Sequence, residues 1–170
     1  MKKYICLLVL TFISCQKNES KIILTSGFDE NPEVLRFGIE INNLGDLYYC
    51  EEIKPESGKY NYFYSKIEEK DFQEFKSLIQ NNFTKNDDKQ GRYNVDDKIY
   101  NLKTNFTDGE IDLFIQVNSL KYKQVEIINS LENLKKRKLT KIKYHSFPKA
   151  LLTCKLPIPP APKTKDSISN

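Results

Sequence analysis

Between Leu35 and Phe83 the spacing of apolar residues switches once, from every second position to every third or fourth. That switch restricts the fold more than any other feature of the chain. Leu35, Phe37, Ile39 and Ile41 alternate with Arg36, Gly38, Glu40 and Asn42, the pattern of a strand with one face in a core. Asn43-Leu44-Gly45 is a turn, and Asp46 to Ile53 returns as the second arm of a hairpin. Lys21 to Ser26 is a shorter apolar strand ahead of it, and Lys59 to Lys66 is a fourth strand after the break at Pro55-Glu56-Ser57-Gly58. Then Phe72, Phe75, Ile79 and Phe83 recur at helical spacing between Glu68 and Phe83, with Leu78 beside them. Glu68, Glu69 and Asp71 crowd the first turn, where negative charge complements the helix dipole. A cofactor box would share this aromatic spacing; packing on one face of the sheet is the simpler reading.

Residues 84–97 are polar and suit a loop, and Lys98 to Asn105 suits another strand. Ile111 to Val117 and Tyr122 to Ile127 flank Asn118-Ser119-Leu120-Lys121, which predicts a hairpin. Ser130 is placed to cap a second helix starting at Leu131, with Glu132 in its first turn. After Leu139 both periods fit, because Ile142 and Tyr144 also alternate. From Pro157 the run Pro-Ile-Pro-Pro-Ala-Pro-Lys-Thr-Lys lacks core-forming residues and predicts an extended tail. This order predicts an α+β domain: a mostly antiparallel sheet with one packed amphipathic helix and a second C-terminal helix.

The N-terminus carries a different kind of signal. Lys2 and Lys3 precede an apolar run from Tyr4 to Ile13, far short of the roughly 20 residues a spanning helix needs. A charged start, a short apolar stretch and a small residue before the cut define an export signal. Ser14-Cys15 fits the lipobox of bacterial lipoproteins, which this segment resembles, with Phe12 where leucine is commoner. The resemblance implies cleavage before Cys15, lipidation of its thiol and acylation of the new amino terminus. Two or more acyl chains hold a protein stably at a membrane where one does not. The alternative is a buried N-terminal helix with a core cysteine. Gln16 replaces the aspartate that favours inner-membrane retention, which points to the outer membrane. The expected organisation is a signal peptide over 1–14, a lipidated tether over 15–21, the α+β domain over 22–150 and a proline-rich tail over 151–170.

Loss of residues 1–14 leaves 156 of the 170 residues, enough for one domain with a sizeable core. Lys2 and Lys3 leave with the leader, so 25 cations face 23 acids and the net charge is +2. That near-neutral balance gives no support for nucleic-acid binding. The run Lys135-Lys136-Arg137-Lys138 is either a solvated surface or a contact for anionic headgroups. Cys50 and Cys154 remain as an even pair in an oxidising compartment. A bridge between them would close a loop of about 100 residues, worth roughly 4–5 kcal/mol in the chain-entropy model; two separate buried thiols are the alternative.

Segment 22–128 resembles a domain of unknown function found in small bacterial lipoproteins. The resemblance rests on Thr25-Ser26, Gly38-Ile39-Glu40-Ile41, Gly45-Asp46-Leu47-Tyr48-Tyr49, Gly58-Lys59-Tyr60 and Phe72-Gln73-Glu74-Phe75. Many family members carry a Cys-Gly-x-Cys-Pro-like stretch before the second strand; Gly27-Phe28-Asp29-Glu30-Asn31-Pro32 keeps the proline and lacks both cysteines. No redox or metal role transfers, and the resemblance implies a fold and a lipoprotein setting without an activity.

No catalytic set, metal site or cofactor is expected. His145, the single histidine, has no nucleophile motif near it and is read as a surface residue. Asp87, Asp88, Asp96, Asp97 and Asp108 lack the calcium-loop spacing. Tyr60, Tyr62 and Tyr64 would share one strand face, opposite Phe63 and beside Tyr48 and Tyr49. They suit either cross-strand packing or a surface that stacks on a glycan or seats a protein. The expected function is a membrane-anchored envelope lipoprotein acting as a non-enzymatic binding module, with a protein or glycan partner and no nucleic acid. The alternative is an envelope hydrolase using acidic residues.

Overall fold

The computed structural model describes residues 19–26, 34–55, 57–88 and 98–148. Seven strands form one antiparallel sheet: β1 (Lys21–Ser26), β2 (Phe37–Asn42), β3 (Asp46–Glu52), β4 (Tyr60–Lys66), β5 (Ile99–Phe106), β6 (Gly109–Gln116) and β7 (Thr140–Ile142). Their order across the sheet is β6-β5-β1-β2-β3-β4-β7. Two helices, α1 (Glu69–Asn82) and α2 (Tyr122–Glu132), complete an α+β fold dominated by its sheet.

The alternating residues of the sequence put one set of side chains under both helices. Ile22 and Leu24 of β1 lie opposite Ile41 and Ile39 of β2, and Leu24 also faces Leu102 of β5. These join Phe37, Leu47, Tyr49, Tyr100, Leu113 and Ile115 in a single core with Phe72, Ile79 and Phe83 from the α1 stripe. Phe75 and Leu78 of that stripe are only partly buried at its border. Ile23 and Thr25 point to the other face and are buried as well, so β1 is enclosed on both sides. That explains why its sequence is a continuous apolar run rather than an alternation.

The β2–β3 turn fixes where α1 begins. Asn42 accepts hydrogen bonds through Oδ1 from the Leu44 and Asp46 backbone N–H groups at 3.1 and 2.8 Å, the local bond that makes asparagine a turn residue. Gly45 has φ +78° and its carbonyl accepts from the Ile67 N–H at 2.9 Å. A Cβ at Gly45 would run into the Ile67 carbonyl. Glycine is required there both by conformation and by the close approach of the chain entering α1.

The second half of the chain departs from the expected pattern. The hairpin pairs β5 with β6 through Phe106 and Gly109, and Tyr122–Ile127 is not its second arm but the start of α2. Gln124, Ile127, Ile128 and Leu131 are buried at i, i+3, i+4 and i+7, a helical stripe that the β-branched residues obscured. Gln124 closes the helix start by accepting from the Lys121 backbone N–H at 2.8 Å. Ser130 is therefore not a cap: its hydroxyl lies inside the helix and donates to the Glu126 carbonyl at 2.8 Å. The competing periods after Leu139 resolve as β7, which pairs with β4. Gly27 to Pro32 and the tail over 151–170 lie outside the described residues.

Glu132 clamps the end of α2 to the sheet. Its carboxylate accepts from Tyr100 Oη at 2.6 Å, Lys135 Nζ at 2.8 Å and Lys98 Nζ at 3.2 Å. Burial alone would push its carboxyl up, but the bonds from Lys135, Tyr100 and Lys98 outweigh burial and hold the carboxyl at about 2. A carboxyl held below its unfolded value of 4.5 contributes all its stabilisation above that value and loses it as pH falls through about 2. Lys98 is partly solvated, which reduces the effect to about 2 kcal/mol. Urea titrations should show wild type losing about 2 kcal/mol more than Glu132→Gln between about pH 6 and pH 2. Parallel pH profiles for the two proteins would contradict the clamp.

Candidate functional site

The face of the sheet away from the helices carries the polar and aromatic chemistry. Strand register sets two adjacent rows across it. The first runs Ile23, Glu40, Tyr48, Tyr64, Thr140, and the second runs Thr25, Gly38, Cys50, Tyr62, Ile142. Tyr60, Tyr62 and Tyr64 thus share this face, each half-buried, while Phe63 faces the core. Tyr48 joins them, with its ring 5.4 Å from that of Tyr64. Tyr49 does not: it points into the helix-side core, 5.7 Å from Phe63.

Residues 144–147 lie over these rows as a strap. His145 stacks on Tyr48 with ring centroids 3.6 Å apart and planes within 3°. Tyr144 meets the Tyr62 ring edge-on at 5.2 Å, and Phe147 is buried against Cys50, with Tyr48, Tyr60 and Tyr62 around it. Small residues make the seat. A Cβ added at Gly38 would come within 2.9 Å of the Phe147 ring and 3.1 Å of Cys50 Sγ, so glycine opens the trough that the ring fills. His145 is therefore not a free surface residue as expected, because the strand that precedes it delivers it onto Tyr48.

One buried charge lies under the strap. Glu40 is 3% exposed, paired with Lys21 Nζ at 3.0 Å, and its Oε1 is 3.4 Å from His145 Nε2, near contact without the alignment of a hydrogen bond. Burial pushes the Glu40 carboxyl up, and His145 and Lys21 together bring it below the ordinary carboxylate value. In the row beside the first, Asp46 accepts from Tyr64 Oη at 2.8 Å and pairs with Lys66 at 3.2 Å. These bonds, with one from Asn42, overcome burial and lower its carboxyl too.

Cys50 opens onto this face and is buried, its thiol pushed up to about 12 by burial. A thiol so rarely ionised is a poor nucleophile. Cys15 and Cys154 lie outside the described residues. The loop acids do not converge: Asp87 bonds Thr84, Asp88 accepts from the Phe114 N–H at 3.0 Å and Asp108 pairs with Lys76 at 3.0 Å. Asp96 and Asp97 lie outside the described residues. Among the described residues no three His, Cys, Asp or Glu side chains group as a metal-ligand set.

A groove of about 380 Å³ lies between the two helices, floored by Phe75, Leu78 and Leu134 and rimmed by Asp71, Glu74 and Arg137. It brings two carboxylates to one place, but Asp71 is held by Arg137 at 3.2 Å. Among the described residues no helix is long and apolar enough to cross a membrane.

Comparison with protein-family models and with curated proteins finds no match to this chain. The resemblance drawn over residues 22–128 thus rests on those residues alone.

The trough makes Gly38 and Phe147 partners. Gly38→Ala should cost about 1–3 kcal/mol of stability by overpacking, read from urea midpoints. Combined with Phe147→Ala it should cost less than the sum of the two single changes, because the smaller side chain vacates the clash. Additive costs would show that the two residues do not meet.

Proposed function

We propose that this chain is a lipid-anchored lipoprotein of the cell envelope whose body is a non-enzymatic binding module. The anchor reading is supported by the sequence: the charged start, the short apolar run and Ser14-Cys15. The observation that carries the binding reading is the set of half-exposed rings on the helix-free face. Tyr62 and Tyr64 lie side by side with Tyr48 and the exposed Tyr144, in ring contact across two strands and the strap. Rigid aromatic surfaces with polar tips are the groups that dominate contact energy in protein interfaces, and they present faces suited to a sugar ring. A protein or glycan partner seated on Tyr60, Tyr62 and Tyr64 is the reading adopted. An outer-membrane site follows from Gln16.

The envelope-hydrolase alternative draws on Asp71 and Glu74 in the interhelical groove. A general acid there would need a carboxyl free to approach a substrate beside a dry pocket; Asp71 is instead engaged by Arg137 at 3.2 Å. The groove gives that reading little help. Cys50 and Cys154 either pair or stay as separate thiols, and the burial of Cys50 fits both.

Growth with a clickable fatty acid should label the native protein, and Cys15→Ala should abolish the label. Affinity capture from the same labelled envelopes should recover a partner with wild type that Tyr62→Ala/Tyr64→Ala fails to recover. Unchanged labelling of Cys15→Ala would overturn the anchor. Identical captures would overturn the binding face.

A further inference from the structure

The edge strand β7 and the turn leading to it hold a concentration of positive charge that neither the core nor the aromatic face uses. Residues 135–143 contain six cations and no acid: Lys135, Lys136, Arg137, Lys138, Lys141 and Lys143. Two are neutralised within the body, Lys135 by Glu132 at 2.8 Å and Arg137 by Asp71 at 3.2 Å. The other four, Lys136, Lys138, Lys141 and Lys143, are exposed and have no ion pair among the described residues. Since the chain beyond the leader carries a net charge of only +2, this edge is a local excess rather than a reflection of the whole.

Its place in the fold gives the excess a direction. Lys21 at the start of β1 lies opposite Asn42, and Asp46 at the start of β3 lies opposite Lys66. The Lys138 carbonyl accepts from Ser65 Oγ at 3.0 Å. The entry of the chain into β1 and the entry into β7 are therefore at the same end of the sheet. Leu44, on the turn at that end, is 50% exposed, and its carbonyl accepts from Lys66 Nζ at 3.4 Å. Cys15 is four residues from Glu19, a reach of no more than about 14 Å. A tether that short keeps this end of the body beside whatever surface holds Cys15.

We infer that the β7 edge, through Lys136, Lys138, Lys141 and Lys143, rests on the anionic phospholipid headgroups of the bilayer. The directional half of the argument rests on the lipid-anchor reading; the charge half does not. Clustered lysines gain affinity additively near an anionic leaflet and lose it as salt screens them. An aromatic face held to one side of such a contact is left open to a partner in the aqueous phase. Lysines also protect a sheet edge from pairing with another chain; that role needs no lipid and no run of six.

The test uses protein without acyl chains, so its outcome does not depend on Cys15. Every residue of the described core lies between Ile22 and Phe147, and the polypeptide from Gln16 onward therefore carries the whole described body. It is mixed with vesicles of phosphatidylcholine alone or with about 30 mol% phosphatidylglycerol and sedimented. Wild type should bind the anionic vesicles selectively, and added salt should release it. K136Q/K138Q/K141Q/K143Q should bind them about tenfold more weakly or worse while keeping its circular dichroism. K54Q/K59Q/K85Q/K121Q, which removes four exposed charges elsewhere, should bind as wild type. Equal binding to both vesicle types, salt-insensitive binding, or equal losses in the two variants would overturn the inference. So would wild type failing to sediment, which would leave the lysines as edge protection alone.

Discussion

A seven-stranded sheet presents two faces, and both helices among the described residues lie on one of them. On the opposite face, over β2 to β4, one side chain is seated in a trough. Phe147 reaches the sheet because Gly38 and Cys50 are small and stand opposite one another on β2 and β3. A bulkier residue at either position would lift the ring. The strap that Phe147 holds down brings His145 onto Tyr48 and against Glu40, and Tyr144 onto Tyr62. The shape of the candidate binding face follows from that one contact. Without it the rings of β3 and β4 would be a flat, wet surface, and Glu40 would lose the His145 contact and keep its pairing with Lys21.

Electrostatics across the body repeat one theme, in which a partly buried carboxylate is kept charged by several donors. Glu132 joins α2 to β5 through Tyr100 and to Lys98, the residue before that strand, with Lys135 bonding it locally. Glu40 joins β2 to β1 and to the strap, and Asp46 joins the start of β3 to the end of β4. Each carboxylate has at least one partner on another element, so each fixes packing as well as charge. Replacing one member leaves a buried ion without its partner, which costs more than the intact pair contributes. The lysines along the β7 edge break this pattern by having no ion pair among the described residues, and that contrast is what singles the edge out.

Much of the first half of the fold was legible because its periods are unambiguous. Leu35 to Ile41 alternate cleanly, Asn43-Leu44-Gly45 is a strong turn, and the Phe72–Phe83 stripe has no β-branched rival until Ile79. Tyr60, Tyr62 and Tyr64 fell on one face because a strand has no other arrangement for them. The second half misled for a local reason: Val125, Ile127 and Ile128 carry strand propensity, and packing against α1 and the sheet overrides it. The buried Gln124, which bonds the Asn82 carbonyl at 2.8 Å, was the cue to a helix start. His145 was illegible because its burial depends on Tyr48, nearly a hundred residues earlier in the chain. A signal existed in the paired small residues Gly38 and Cys50, but sequence alone did not show which ring would fill the space.

Solution contacts of the Phe147 ring test the account most directly. In isotope-edited NOE spectra of the labelled protein, its ring protons should show strong cross-peaks to the Gly38 Hα and Cys50 Hβ protons and ring-current shifts from Tyr48 and Tyr62. Phe147 resonances at random-coil positions, with no cross-peak to either strand, would contradict it.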